Sequence, residues 1–179
     1  MAHIDLNNDQ PGIRGLMTHR PDTAAPLSVL AETLLRSPMS LSRGERELIA
    51  AYTSHLNTTP YCAGSHGAFA AAQLEGGREV VDAVLADPDS APITPRLRAL
   101  LGIAAEIRGP VRSLAPETVA AARAAGADDA QIHDTVLIAA AFCMYNRYVT
   151  GLDTELPQDP GYFEQGAKRI TVEGYVSGN

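Results

Sequence analysis

The sequence predicts an all-α fold, and three observations carry that expectation. Hydrophobic residues make up 45% of the 179 positions and many of them are alanine, the residue of highest helix propensity and one that lets helices approach closely. Apolar residues recur at three- and four-residue spacing, and no stretch longer than a few residues alternates with period two, so no sheet is expected. Prolines, glycines and polar caps punctuate the chain at helix-length intervals.

Residues 1–20 carry Asn7, Asn8, Pro11 and Gly12 without apolar periodicity and read as an N-terminal arm, with 21–179 as a single helical domain. A helix begins near Pro21-Asp22-Thr23 and presents Leu27, Val29, Leu30, Leu34 and Leu35 as far as Arg36; Ser37-Pro38 ends it. Ser42 and Glu45 have capping-box spacing for the next helix, which carries Glu47, Leu48, Ala51, Tyr52 and His55 to Leu56. Asn57-Thr58-Thr59 interrupts it. Thr59 is a competent N-cap and Pro60 suits the first helical position, so a second helix runs from Pro60 to about Leu74 and stops at Gly76-Gly77. Glu47–Leu74 is therefore a helical hairpin, with Cys62 in the first turn of its second arm.

Further helices are expected over Arg78–Ala86, from Thr94-Pro95 to Gly109-Pro110, and over Pro116–Ala125. Asp128 caps the longest, which reaches about Thr150 with Ile132, Val136, Ala139, Ala140 and Cys143 on one face and Gly151 as C-cap. A last helix spans about Pro160 to Ile170, ahead of a Gly174-Tyr175 tail.

Length suits one domain with a sizeable core. The formal net charge of −7 offers no basic stripe to neutralise phosphates and argues against nucleic-acid binding. No long uncharged apolar run is present and residues 1–20 lack an apolar h-region, so neither a membrane span nor a secretory signal is expected, and a cytoplasmic location follows. Two cysteines, Cys62 and Cys143, are too few for a disulfide scaffold. Each is either a small buried residue or a reactive thiol.

The hairpin concentrates the chemistry. Cys62 and His66 are four apart on one helix and share a face. Unpaired backbone N–H groups in the first turn favour a thiolate, and thiols at such positions fall to about 3.5–7.5. Antiparallel return of the chain brings Glu47 toward His66, where a carboxylate orients an imidazole that accepts the thiol proton. The same spacing also fits a buried small thiol beside a hydrogen-bonded core histidine, with Glu47 an ordinary helix residue. As half a zinc site it lacks two further ligands, and no cofactor is called for. His3, His19 and His133 have no suggestive neighbours and read as surface residues.

These residues carry a resemblance. Glu47, eleven intervening residues, Thr59-Pro60-Tyr61-Cys62, three more and His66 resemble the Glu, eleven residues, Cys-x-x-Cys, three residues, His pattern of the AhpD-like, carboxymuconolactone decarboxylase superfamily of alkylhydroperoxidase-related helical proteins. Phe142-Cys143-Met144-Tyr145-Asn146-Arg147, then Gly151-Leu152, is similar to a stretch of its peroxidase-related branch, and Gly174-Tyr175 to that branch's C-terminal end. The likeness spans roughly 25–175. It implies a thiol-dependent, peroxidase-like oxidoreductase with Cys62 as nucleophile, His66 as proton acceptor and Glu47 as its orienting group, assembled as a trimer or hexamer. The arm and the 151–179 tail are then the candidates for contacts between subunits. One position departs from the pattern: Thr59 stands where dithiol members have their first cysteine. An oxidised Cys62 then needs an external thiol, a partner protein or Cys143 to resolve it. The superfamily also implies an alternative, a non-redox lyase or hydrolase acting on a small lactone or acid through Glu47 and His66. A catalytically degenerate ligand-binding member is a third possibility. The substrate is a hydroperoxide in the first case and a small organic acid in the second.

Overall fold

Local signals set the helix ends. The computed structural model describes residues 2–110, 113–159 and 161–176. Among them it forms α1 (Gly12–His19), α2 (Pro21–Arg36), α3 (Arg43–Leu56), α4 (Pro60–Ala71), α5 (Gly77–Ala86), α6 (Pro95–Ile107), α7 (Pro116–Ala124), α8 (Asp129–Gly151) and α9 (Tyr162–Glu173), with no strand. Ser42 and Glu45 close a capping box on α3, as Asp128 and Gln131 do on α8. Thr94 Oγ1 accepts the Leu97 N–H at the start of α6. None of the helices among the described residues is long and apolar enough to cross a membrane.

Several expectations need correction. Residues 12–19 are helical rather than loop, and α1 packs on α2 and α8. Ile13, Leu16 and Met17 have helical spacing, but eight residues with two glycines make a weak helix signal. Thr59 is the residue before α4 but makes no side-chain cap; its Oγ1 donates to the Asn57 carbonyl at 3.5 Å. α4 ends at Ala71, earlier than Leu74. Gly151 is the last residue of α8, and Leu152 is its C-cap. On α8 the buried face runs through Ile138, Ala139, Phe142, Tyr145, Asn146 and Val149, whereas Ala140 is exposed and Cys143 is half-buried. Three consecutive alanines at 139–141 leave little contrast to mark that face. The last helix starts at Tyr162; Pro160, where it was expected to start, lies outside the described residues.

α3 is the central element. Arg46 to Ser54 are buried without a break, the pattern of a helix enclosed on all sides, and α2, α4, α5, α6 and α8 all pack against it. The core beneath it contains Leu48, Ile49, Leu100, Leu101, Ile103, Ile138 and Phe142. The connection from α3 to α4 is short, and Thr58 takes a left-handed φ of 54°, a conformation that costs a non-glycine residue about 1–2 kcal/mol. α9 returns from the far end of the chain to lie on α4.

The α4–α9 crossing depends on absent side chains. A Cβ on Gly64 would stand 2.6 Å from the Phe163 ring. Gly64→Leu is therefore expected to lower stability by about 1–3 kcal/mol through overpacking. Gly102, exposed in α6 with no atom within 4 Å of its would-be Cβ, should instead gain about 0.5–1 kcal/mol on substitution by alanine. Urea unfolding of both variants checks the pair, and equal effects would contradict this account of the crossing.

Candidate active site

The hairpin brings the three expected residues together. Glu47 projects from the middle of α3 and is 1% exposed. His66, one turn beyond Cys62 on α4, donates from Nδ1 to Glu47 Oε2 at 2.7 Å. The other carboxylate oxygen, Oε1, accepts from the Tyr175 hydroxyl at 2.6 Å. A buried carboxylate is tolerated only with such donors around it. Burial, followed by the adjacent Glu47 carboxylate, holds the Tyr175 hydroxyl protonated far above the ordinary tyrosine range.

The imidazole is held by rings as well as by the carboxylate. Phe142 and Phe69 meet it edge-on, with centroids at 4.5 and 5.3 Å, and Tyr175 lies nearly parallel to it at 6.3 Å. Because Nδ1 is committed to Glu47, Nε2 is the nitrogen left for chemistry.

Tyr175 reaches the site through a latch. Gly174 ends α9 with φ 88°, and a Cβ there would meet Glu32 Oε2 at 2.5 Å, so only glycine fits. The Tyr175 N–H donates to Glu32 Oε2 at 2.7 Å. Arg36, ion-paired to Glu32, donates Nη1 to the Ile170 and Thr171 carbonyls at 2.6 and 3.0 Å, next to the Gly174 N–H that also donates to the Ile170 carbonyl. Residues 170–175 of the C-terminal segment thus make these contacts within their own chain.

Cys62 occupies the third position of α4 and is 3% exposed. The expected depression of its thiol by the helix N-terminus does not hold. Burial pushes the thiol up to about 12, and only a hydrogen bond with Asn146 acts the other way. The orientation of Asn146 is fixed. Its Oδ1 accepts from Asn57 Nδ2 at 2.9 Å and its Nδ2 donates to Ser54 Oγ at 2.9 Å, which turns the amide N–H side toward the sulfur. Cys143 Sγ lies 3.6 Å from Asn57 Nδ2. The two free thiols are therefore linked through Asn57 and Asn146 and make no disulfide. Thr59 is buried beside this network, with its N–H donating to the Ser54 carbonyl.

Cys62 and His66 line one cavity of about 320 Å³. Its lining includes Tyr61, Phe69, Phe142, Tyr145, Phe163 and Ile170, with Ile13 and Met17 from α1. Asn146 and Tyr175 were visible in the sequence only as family markers without a role. Glu32 and Arg36 gave no signal of their roles. Among the described residues no group of three or more His, Cys, Asp or Glu side chains is placed to hold a metal. His133 is exposed, and His19 is half-buried with Nδ1 3.2 Å from the Leu6 carbonyl.

Residues 21–106, which include Glu47, Cys62 and His66, match the model of the carboxymuconolactone decarboxylase family. The fold is similar to that of a peroxidase-related protein of Ralstonia eutropha JMP134 with the alkylhydroperoxidase AhpD core. That likeness has a TM-score of 0.77 and 28% identity, and covers 88% of this chain and 81% of the other. A peroxidase-related protein of Silicibacter sp. TM1040 shares the fold at a TM-score of 0.75 and 23% identity, over 86% and 78% of the two chains. No curated protein sequence matches the chain at a significant level. The matched segment, which carries the Glu/Cys/His hairpin, is thus similar to the carboxymuconolactone decarboxylase family, and the helical fold is similar to that of proteins with the alkylhydroperoxidase AhpD core.

Proposed function

We propose that the chain is a thiol-dependent, peroxidase-like oxidoreductase that reduces an organic hydroperoxide with a single cysteine. One observation carries this reading: Cys62 and His66 line the same cavity while buried Glu47 holds His66 through Nδ1, leaving Nε2 to serve the thiol. The thiol rests in its protonated form, so the proton leaves as substrate arrives. His66 takes it, the sulfur attacks the distal peroxide oxygen, the O–O bond breaks, and the leaving alkoxide recovers the proton from His66. The products are a sulfenic acid on Cys62 and an alcohol. Glu47 stabilises the transient imidazolium, with Tyr175 sharing the carboxylate's charge. Thr59 supplies no sulfur, so an external thiol condenses with the sulfenic acid and releases water. A second equivalent of thiol then restores Cys62 and leaves as the external disulfide.

A second reading rests on a different observation. The Tyr175–Glu47–His66 chain of hydrogen bonds is complete without the thiol. In this reading Glu47 and His66 act as an acid–base pair on a small lactone or acid, and Cys62 is a bystander. Activity on such a compound would survive alkylation of Cys62.

Cys62→Ser is expected to abolish thiol-dependent hydroperoxide consumption in a coupled assay, and wild-type turnover by that variant would rule the first reading out. The protonated resting thiol has its own test. In a Cys143→Ser background, iodoacetamide should alkylate Cys62 at a rate that rises about tenfold per pH unit through pH 10, because the reactive thiolate is a growing minority there. A plateau below about pH 9, the behaviour of an ordinary or activated thiol, would contradict it.

A further inference from the structure

The cavity differs in charge from the chain that encloses it. The whole sequence has 21 Asp and Glu against 14 Lys and Arg, yet no acidic residue lines the cavity, while two arginines do. Arg14 comes from α1 and Arg169 from α9, so helices far apart in sequence each contribute one cation. Both residues are exposed, whereas Cys62 and Phe142 of the same lining are buried. The arginines therefore stand at the mouth and the thiol at the floor.

This is a polarised site: an apolar, aromatic interior with a cationic rim. A neutral alkyl hydroperoxide would need only the interior. Guanidinium groups at the entrance match a carboxylate, which they bind by charge-assisted and often bidentate hydrogen bonds. A volume of about 320 Å³ falls at the small end of ligand pockets and suits a medium-length chain or one ring with a short chain.

We propose that the cavity takes an anionic amphiphile, an organic acid whose carboxylate rests at Arg14 and Arg169 while its apolar body runs along the aromatic wall toward Cys62. Under the peroxidase reading, on which only the reacting group depends, the substrate is the hydroperoxide of such an acid, with the peroxide carried on the apolar part. The arginines select the substrate and fix its direction of entry; they take no part in O–O cleavage.

The test separates the ligand class from the chemistry. Decanoate and the uncharged decanamide are titrated by calorimetry into a Cys62→Ser variant, which cannot turn over. Decanoate should bind about tenfold or more tightly than the amide, and its affinity should fall with added salt. Arg14→Gln with Arg169→Gln should bring the two ligands to equal affinity while leaving decanamide unchanged. Equal binding of acid and amide to the parent protein, or decanoate affinity unaltered in the double variant, would overturn the proposal. In a second arm, the wild type is assayed with a carboxylate-bearing hydroperoxide and with cumene hydroperoxide. Preference for the acid, lost in the arginine variant, supports the full proposal, and preference for cumene hydroperoxide overturns the substrate assignment. Decanoate selectivity without turnover of either peroxide keeps the ligand class and removes the peroxidase reading.

Discussion

A carboxylate inside a helical core has to find hydrogen-bond donors, because an isolated buried charge costs many kcal/mol. Glu47 meets that demand with one donor from each of two distant elements: His66 across the α3–α4 hairpin and Tyr175 from the chain's other end. Much else follows from this arrangement. α4 must lie close against α3, with the tight connection at Thr58. α9 must cross α4 at Gly64, and Gly174 must turn the chain so that Tyr175 points back into the protein. Glu32 and Arg36 on α2 hold that turn in place. Satisfying one carboxylate thus fixes the position of four helices and closes the cavity above the thiol.

The dryness that makes the Glu47–His66 pair strong also raises the cost of a charge on sulfur. At the N-terminus of α4 the helix dipole and Asn146 favour a thiolate, but near-complete burial outweighs them. A thiol in this position is protected against indiscriminate oxidation and alkylation. It becomes nucleophilic only while a base holds its proton, and His66 is that base in the proposed reaction. The Asn57–Asn146–Ser54 network keeps the amide N–H directed at the sulfur and leaves two side chains, Asn57 and Asn146, between Cys143 and Cys62.

What was legible in the sequence is local. The capping box at Ser42, the cap at Asp128, Thr-Pro and Pro starts, and Gly stops place most helices within a few residues. The i, i+4 spacing of Cys62 and His66, together with a connection too short for anything but a hairpin, brings Glu47, Cys62 and His66 to one place. What was not legible is long-range or lacks contrast. The Tyr175–Glu47 bond joins residues 128 positions apart, and Asn57–Asn146 joins residues 89 apart. No local pattern encodes either. α1 is short and contains two glycines, and three consecutive alanines at 139–141 blur the buried face of α8. The burial of Cys62 belongs to the same class: helix position is local information, whereas the desolvation that overrides it comes from α1, α8 and α9 packing around α4.

The central claim is that Cys62 is the oxidised atom and that Glu47, acting through His66, makes it reactive. Intact and peptide mass spectrometry after one equivalent of an organic hydroperoxide tests it most directly, with a sulfenic-acid trap present. The account predicts one trapped oxygen on Cys62 of the wild-type protein. In Glu47→Gln, where the imidazole loses its charged partner, trapping should be strongly slowed. Oxidation confined to Cys143 or methionine, or equal trapping in the two proteins, would contradict it.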